Sequence, residues 1–322
     1  MSTEFVLHKP NFLGIPAEFS SPERSRFVVL PVPYEKTTSY MKGTRLGPQY
    51  LINASHQVEL YDEEIGTETW KAGVHTMPPV PLEEDPARYF AAVGNAVEPV
   101  VRMGKFLMAV GGEHAITEGP LSGVVRVHPR ISVFHVDAHC DLRDEFEGTK
   151  YNHACAARRM MEYADKIVQV GIRSVSEDEK HHTNTKKVRT FLMHQTRDIK
   201  ALIPQVLAEL TDTVYISIDL DGLDPAVVPG VGTPQPGGLG WYDLLDLLRE
   251  IIAKKNVVAA DVVELCPIEG QVISEFAAAK LVYRIMGYVH QKDMSAETKV
   301  RSKSAAPGMN HGKKAKGAKA KS

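Results

Sequence analysis

Six short apolar runs constrain the fold of this chain more than any other feature. They are Phe27–Pro31, Phe106–Val110, Ile131–Val136, Ile167–Gly171, Val214–Leu220 and Val257–Val263. Each has strand length, is rich in Val and Ile, and is nearly continuous in hydrophobicity. A strand with one face in water alternates apolar and polar residues, whereas a continuous run suits a strand covered on both faces. Amphipathic stretches lie between the runs, at Ala87–Met103, His153–Ala164, Ile199–Leu210 and Trp241–Lys254, and a last helix is expected from about Val272 to Tyr288. Within Trp241–Lys254, Leu244, Leu245, Leu247, Leu248, Ile251 and Ile252 recur at helical spacing. Strands alternating with helices predict an α/β fold, with a central, mostly parallel β-sheet flanked by helices. There is no internal repeat or linker, so one domain is expected over 25–290, after an extension at 1–24 and before a tail at 298–322.

The polar residues that end these runs are unusual. Ile131–Val136 runs into Asp137, His139 and Asp141; Val214–Ile218 into Asp219, Asp221 and Asp224; Phe106–Val110 into Gly111, Gly112, Glu113 and His114; Val257–Val263 into Glu264. Ligands of open parallel sheets bind outside the carboxyl ends of the strands. In an extended segment residues i, i+2 and i+4 share a side, so Asp137, His139 and Asp141 are expected to face together, as are Asp219 and Asp221.

Four carboxylates gathered beside a sheet interior repel one another unless they take up protons or cations. Together with two imidazoles they suit a pair of metal ions sharing carboxylates better than one ion. An oxygen-dominated set with one imidazole per ion favours Mn²⁺ over tetrahedral Zn²⁺, with Ni²⁺, Co²⁺ and Fe²⁺ as alternatives. The ordinary alternative for each motif alone is a polar turn after a strand. It loses ground because three such motifs follow three different strands. Gly111 and Gly112 would let the backbone approach His114 closely. Cys140, Cys155 and Cys266 read as small buried fillers, Cys140 pointing away from the metals. Asp224, in an LDP turn, reads as structural, and Pro229–Gly240 as a shaped loop beside the site.

The segments GGEHAIT (111–117), FHVDAHCDLRDEF (134–146), SIDLDGLDPAVVPGVGTPQPGGL (217–239), DVVELCP (261–267) and YMKGTRLGPQYLINAS (40–55) together resemble the ureohydrolases, the arginase and agmatinase family. The resemblance covers about 30–290, in order. It implies a three-layer arginase-like α/β fold, a binuclear manganese site with two Mn²⁺ per subunit, and hydrolysis of a guanidino group to urea and an amine. It assigns His114, Asp137, Asp141 and Asp219 to one ion, and His139, Asp137, Asp219 and Asp221 to the other, with Asp137 and Asp219 bridging. Where arginases hold the α-amino and α-carboxyl groups of arginine, this chain has Arg143 and Ser174. The stretch DLRDEFEGTKYNHACAARR (141–159) looks instead like agmatinases, although Asn152 stands where Ser is common. The substrate expected is therefore agmatine, cleaved to putrescine and urea.

The expected roles follow. Asp141 accepts a hydrogen bond from the attacking hydroxide while ligating. Glu264 faces the planar guanidinium cation. His153, with an ordinary pKa near 6.5, delivers a proton to the leaving amine; a helix-capping or solvent role is the plainer alternative. A competing reading is hydrolysis of guanidinobutyrate, with Arg143 pairing a substrate carboxylate, although the acids flanking Arg143 suggest internal pairing. Another is a one-metal zinc amide hydrolase of the histone-deacetylase type, which uses adjacent histidines. His181–His182 is the only such pair and lies far from the motifs.

Charge adds an asymmetry. The chain has 38 Lys and Arg against 40 Asp and Glu, a formal net charge of −2, and 3 Cys. Eight of the bases and none of the acids lie in 298–322, which leaves −10 on residues 1–297. The tail, rich in Ala, Gly and Ser, is expected to be disordered and solubilising in preference to contacting nucleic acid. With so few cysteines, no secretory leader pattern and no long apolar run, a cytoplasmic protein without membrane contact is expected. The family resemblance implies a homo-oligomer, trimer or hexamer, acting on a small-molecule guanidino substrate.

Overall fold

The structure, a computed structural model, describes residues 11–304. Eight strands form one sheet: β1 (Phe27–Val32), β2 (Val74–Thr76), β3 (Phe106–Gly111), β4 (Ser132–Val136), β5 (Lys166–Ile172), β6 (Val188–Leu192), β7 (Thr213–Asp219) and β8 (Asn256–Val263). Their order is β2-β1-β3-β8-β7-β4-β5-β6, and every pairing is parallel. Among the described residues seven α-helices accompany them: α1 (Gly47–Ser55), α2 (Pro86–Arg102), α3 (Glu118–Val125), α4 (Ala156–Tyr163), α5 (Ile199–Glu209), α6 (Trp241–Lys254) and α7 (Ile273–Ser304).

Successive strand residues point into two separate cores, which makes three layers. Phe27, Val29, Phe106, Met108, Ile216 and Ile218 pack with α1, α5, α6 and α7 on one face. Val28, Leu30, Leu107, Ala109, Val133 and Tyr215 pack with α2, α3 and α4 on the other. This explains the unbroken hydrophobicity of the runs. The six Leu and Ile residues of α6 singled out by spacing are all buried, and burying each such side chain is worth roughly 1.5–3 kcal/mol.

The differences from the sequence reading have local causes. Strands β2 and β6 lie at the sheet edges, where buried residues are interspersed with partly exposed ones, so they lack the hydrophobic continuity of the central strands. Helix α7 runs to Ser304, well past Tyr288. No Gly or Pro follows Gly287 until Pro307, and Asp293 ties the extended part to Arg26 at 2.7 Å. The first residues of the basic segment 298–322 are therefore helical; residues 305–322 lie outside the described residues. Phe12, Leu13 and Ile15, in the stretch 1–24, are buried in the same core as Leu51 and Ile52. No helix among the described residues is long and apolar enough to cross a membrane.

The four central strands, β3, β8, β7 and β4, are neighbours in the sheet although they are distant in sequence. Their carboxyl ends bring GGEH, Glu264, DxD and DxHxD side by side.

Candidate metal centre

His114 follows β3 at a point where the chain passes very close to the loop after β1. A Cβ on Gly112 would lie 1.9 Å from the carbonyl oxygen of Tyr34, so only glycine fits there. The imidazole of His114 is buried. Its Nδ1 lies 3.1 Å from Asp137 Oδ2, 3.2 Å from Asp141 Oδ2 and 3.2 Å from Asp219 Oδ2. A second cluster adjoins it, with His139 Nδ1 3.0 Å from Asp221 Oδ2 and 3.5 Å from Asp137 Oδ1. The two oxygens of Asp137 thus face different imidazoles. Asp219 turns one oxygen to His114, while the other accepts the Asp221 N–H at 2.8 Å.

The six residues come together as expected, but strand alternation is not the reason. Asp141 has φ 52° and Glu264 φ 66°, both in the left-handed region. Asp221 sits in a 3₁₀ turn, Leu220–Gly222, and its own N–H is capped by the Asp219 side chain. Left-handed backbone at a non-glycine residue costs on the order of 1–3 kcal/mol and persists where the surroundings impose it. Here it turns both carboxylates toward the cluster.

Hydrogen bonding tests whether these residues fit a metal. Ser217 gives its hydroxyl proton to Asp261 Oδ1 at 2.8 Å, so its oxygen accepts from His114 Nε2 at 3.0 Å. The proton of the neutral imidazole is therefore on Nε2, and Nδ1 presents a lone pair. That buried Nδ1 has no hydrogen-bond partner, and it faces three carboxylate oxygens that are also lone-pair donors. Such a set is complementary to a cation, and the Ser217–Asp261 pair orients the ring as outer partners of metal-bound histidines do. Protons are the substitute when no ion is bound. Burial opposes charge on His114, but Asp137, Asp141 and Asp219 together hold its pKa well above the ordinary value. His139 likewise reaches about 12 against the effect of burial, through Asp137 and Asp221. Burial and then Asp137 raise Asp141 to about 7, and burial and then Asp221 push Asp219 well up. Burial acts against Asp137 too, yet His114, His135 and His139 hold it well below the carboxylate range.

His135 lies within the FHVDAHCDLRDEF segment but is not among the six expected ligands. It is buried in β4, two residues before Asp137 and on the same side. Its Nδ1 accepts from Gln169 at 3.0 Å, which leaves Nε2–H to donate to Asp137 Oδ2 at 3.0 Å. Burial lowers its pKa, so it serves as a neutral donor that orients Asp137. A histidine inside an otherwise apolar strand, spaced i−2 from a clustered acid, was the available signal.

A cavity of about 220 Å³ opens beside the cluster, lined by His139, Asp141, His153, Asp219, Asp221 and Glu264 among others. Glu264 Oε1 accepts the His114 N–H at 2.7 Å. Burial and then Glu113 raise its pKa well above the carboxylate range, so a cationic neighbour is needed to ionise it. His153 is held by its N–H to the Thr37 hydroxyl at 3.0 Å, and its buried Nε2 has no partner. Burial, then His139 and His114, lower it to about 4. The imidazole therefore rests neutral, unlike the protonated donor expected from a pKa near 6.5. The helix-capping alternative goes to Asn152, whose side chain accepts the Ala154 N–H.

Arg143 and Ser174 line the same cavity. Arg143 is not paired with its neighbours: its guanidinium lies 4.6 Å from the Phe146 ring centroid, while Asp144 pairs with Arg158 and Arg159. Asp224 holds a turn by accepting the N–H groups of Ala226, Gly237 and Gly238. The Pro229–Gly240 loop reaches the site through Thr233, 3.2 Å from Asp221 Oδ2. All three cysteines are buried, with Cys140 packed in the core that holds α2, α3 and α4. His181–His182 is not part of the cavity wall.

Comparison with known proteins agrees with this geometry. The family model described as Arginase family matches residues 25–287. A protein of Synechocystis named N(1)-aminopropylagmatine ureohydrolase is 40% identical over 88% of this chain and 97% of its own. An agmatinase of Pyrococcus horikoshii is 31% identical over 81% and 91%. The crystal structure of agmatine ureohydrolase of Thermoplasma volcanium superposes with a TM-score of 0.80 at 30% identity, covering 91% of this chain and 97% of that one. The chain belongs to the arginase family of ureohydrolases, enzymes that depend on two metal ions to hydrolyse small guanidino compounds.

Proposed function

We propose that this enzyme releases urea from a guanidino-amine that lacks a carboxylate, either agmatine or its N1-aminopropyl derivative, with two Mn²⁺ per subunit. The observation that carries the reading is the convergence of the bare His114 Nδ1 with oxygens of Asp137, Asp141 and Asp219 beside the cavity that holds Glu264 and His153. The substrate class is supported by the relatives' names, agmatinase and N(1)-aminopropylagmatine ureohydrolase, and by Arg143 and Ser174 at the arginase substrate positions.

His114, Asp137, Asp141 and Asp219 would hold one ion, and His139, Asp137, Asp219 and Asp221 the other. Bound there, the ions supply a water activated for attack near neutral pH; the oxygen-rich set favours Mn²⁺. Asp141 would accept a hydrogen bond from the attacking water while holding its ion. Glu264 binds the guanidinium, whose charge returns the buried carboxyl to its ionised form. Neutral His153 takes up a proton at Nε2 and passes it to the departing amine nitrogen. Water and the guanidinium thus become urea and an alkylammonium.

The unpaired guanidinium of Arg143 favours a second reading, a guanidino acid such as guanidinobutyrate, against which the relatives' names weigh. Urea release should be measured from agmatine, N1-aminopropylagmatine, arginine and guanidinobutyrate, each with Mn²⁺, Ni²⁺, Co²⁺ and Fe²⁺. The two amines with Mn²⁺ should give the highest kcat/KM; a preference for guanidinobutyrate would replace the substrate class. A trimer or hexamer, a cytoplasmic location and a tail dispensable for catalysis belong to the same proposal. Light scattering, fractionation and deletion of 298–322 test them.

A further inference from the structure

Arg173 stands just beyond β5, in the VGIRS stretch (170–174) directly before Ser174, and its side chain is half-buried. Its Nε donates to the carbonyls of Gln235 and Pro236 at 3.2 and 3.1 Å. Its Nη1 donates to Gly171 at 3.0 Å and Gly222 at 3.2 Å. Its Nη2 donates to Asp221 at 2.7 Å, Leu223 at 3.1 Å and Gln235 at 2.6 Å. No carboxylate pairs with it at salt-bridge distance among the described residues. A planar guanidinium spends all its donors on backbone oxygens, in a fork that no other side chain reproduces.

Those oxygens belong to three separate segments. One is the end of β5. The second is the 3₁₀ turn that carries Asp221. The third is the 235–236 stretch of the loop whose Thr233 reaches Asp221 Oδ2. The main chain of Arg173 adds a fourth connection: its N–H and that of Ser174 both donate to Ala138 at 2.9 Å, the residue before His139. Ala138 in turn donates to Asp221 Oδ1 at 3.0 Å. Arg173 therefore ties the segment that presents Asp221 through its guanidinium, and the segment that presents His139 through its main chain. It touches neither of those side chains. The His114–Asp141 side of the cluster is built differently, on β3, the left-handed turn at Asp141 and the Ser217–Asp261 pair, and none of Arg173's bonds reaches it.

We infer that Arg173 is a positioning residue for the ion held by His139 and Asp221 more than for the other, through its carbonyl clamp on the Asp221 turn. The inference rests on the two-ion reading proposed above. An ammonium in its place cannot span the same carbonyls, since a lysine has fewer donors in a compact head.

The test is metal binding by the full-length protein, independent of turnover. Metal-free wild type, Arg173→Lys and Arg173→Gln are titrated with Mn²⁺ and read by calorimetry and by elemental analysis after dialysis, with far-UV circular dichroism as the control for folding. Wild type should bind two ions per chain. If it binds one or none, the two-ion reading fails, and this inference with it. In the lysine variant one of the two ions should stay within about twofold of wild type, while the other loses about 10–100-fold, the range for outer partners of metal ligands. Its urea release should recover at millimolar Mn²⁺. The glutamine variant separates charge from geometry and serves if the lysine variant does not fold: selective weakening of one ion in either folded variant supports the clamp. Two ions bound with wild-type affinity, or equal weakening of both, would overturn it.

Discussion

The main-chain N–H of His153 donates to the hydroxyl of Thr37 at 3.0 Å, across 116 positions of sequence. That hydroxyl gives its own proton to Glu113 Oε1 at 2.6 Å, and Glu113 Oε2 accepts the N–H groups of Lys36 and Thr37 at 2.6 and 2.7 Å. Glu113, one residue before His114, thus anchors the loop that seats the proposed proton carrier. Thr37→Val keeps the shape and removes both hydroxyl contacts. It should lower kcat about tenfold, the worth of one hydrogen bond of 1–1.5 kcal/mol. Bound metal should not change, and steady-state kinetics alongside elemental analysis check both.

Glu264→Gln keeps an oxygen for the His114 N–H but removes the charge that meets the guanidinium. A charged hydrogen bond is worth about 1.5–3 kcal/mol, so kcat/KM should fall roughly 10–100-fold. Metal content should match wild type. A variant as active as wild type would mean that another group orients the substrate.

The neutral state of His153 makes a prediction about pH. Its folded pKa of about 4 lies below the ordinary 6.5, so the unfolded chain binds more protons between those values. This group's contribution to stability is complete above about 6.5 and declines as pH falls toward 4. In the pH–kcat/KM profile, no limb near 6.5 should disappear on His153→Asn, although the overall rate should drop about 10²–10⁴-fold, the usual contribution of a positioned acid–base group. A 6.5 limb removed by that substitution would return His153 to an ordinary, solvated titration.

Removing the metal should destabilise the fold, because Asp137, Asp141, Asp219 and Asp221 are buried together. Ion binding to the native state adds about 2.7 kcal/mol at a hundredfold excess over Kd, so chelation should lower Tm by several degrees and Mn²⁺ should restore it. Asp219→Ala should lose the response to Mn²⁺ and urea release together, by more than the roughly 100-fold seen for outer partners. Urea release retained in that variant would remove Asp219 from the bridging position.

The layered α/β architecture was legible in the residue pattern alone, as was the gathering of acids and imidazoles at the strand ends. Hydrophobic continuity is a local property, and Val28 and Val29 show it by entering opposite cores from adjacent positions. The acids and imidazoles at the strand ends were equally legible, because few other arrangements tolerate them there. Tertiary structure decided the rest. Asp141 and Glu264 reach the cluster through left-handed backbone that strand alternation does not describe. His135 becomes a donor to Asp137 only because Gln169 of the neighbouring strand fixes its tautomer. His153 loses its proton to burial, and Arg173 gathers carbonyls up to 63 positions away. Each of these depends on which distant segments the sheet order places side by side, and on how far water is excluded there. A residue's type reveals neither.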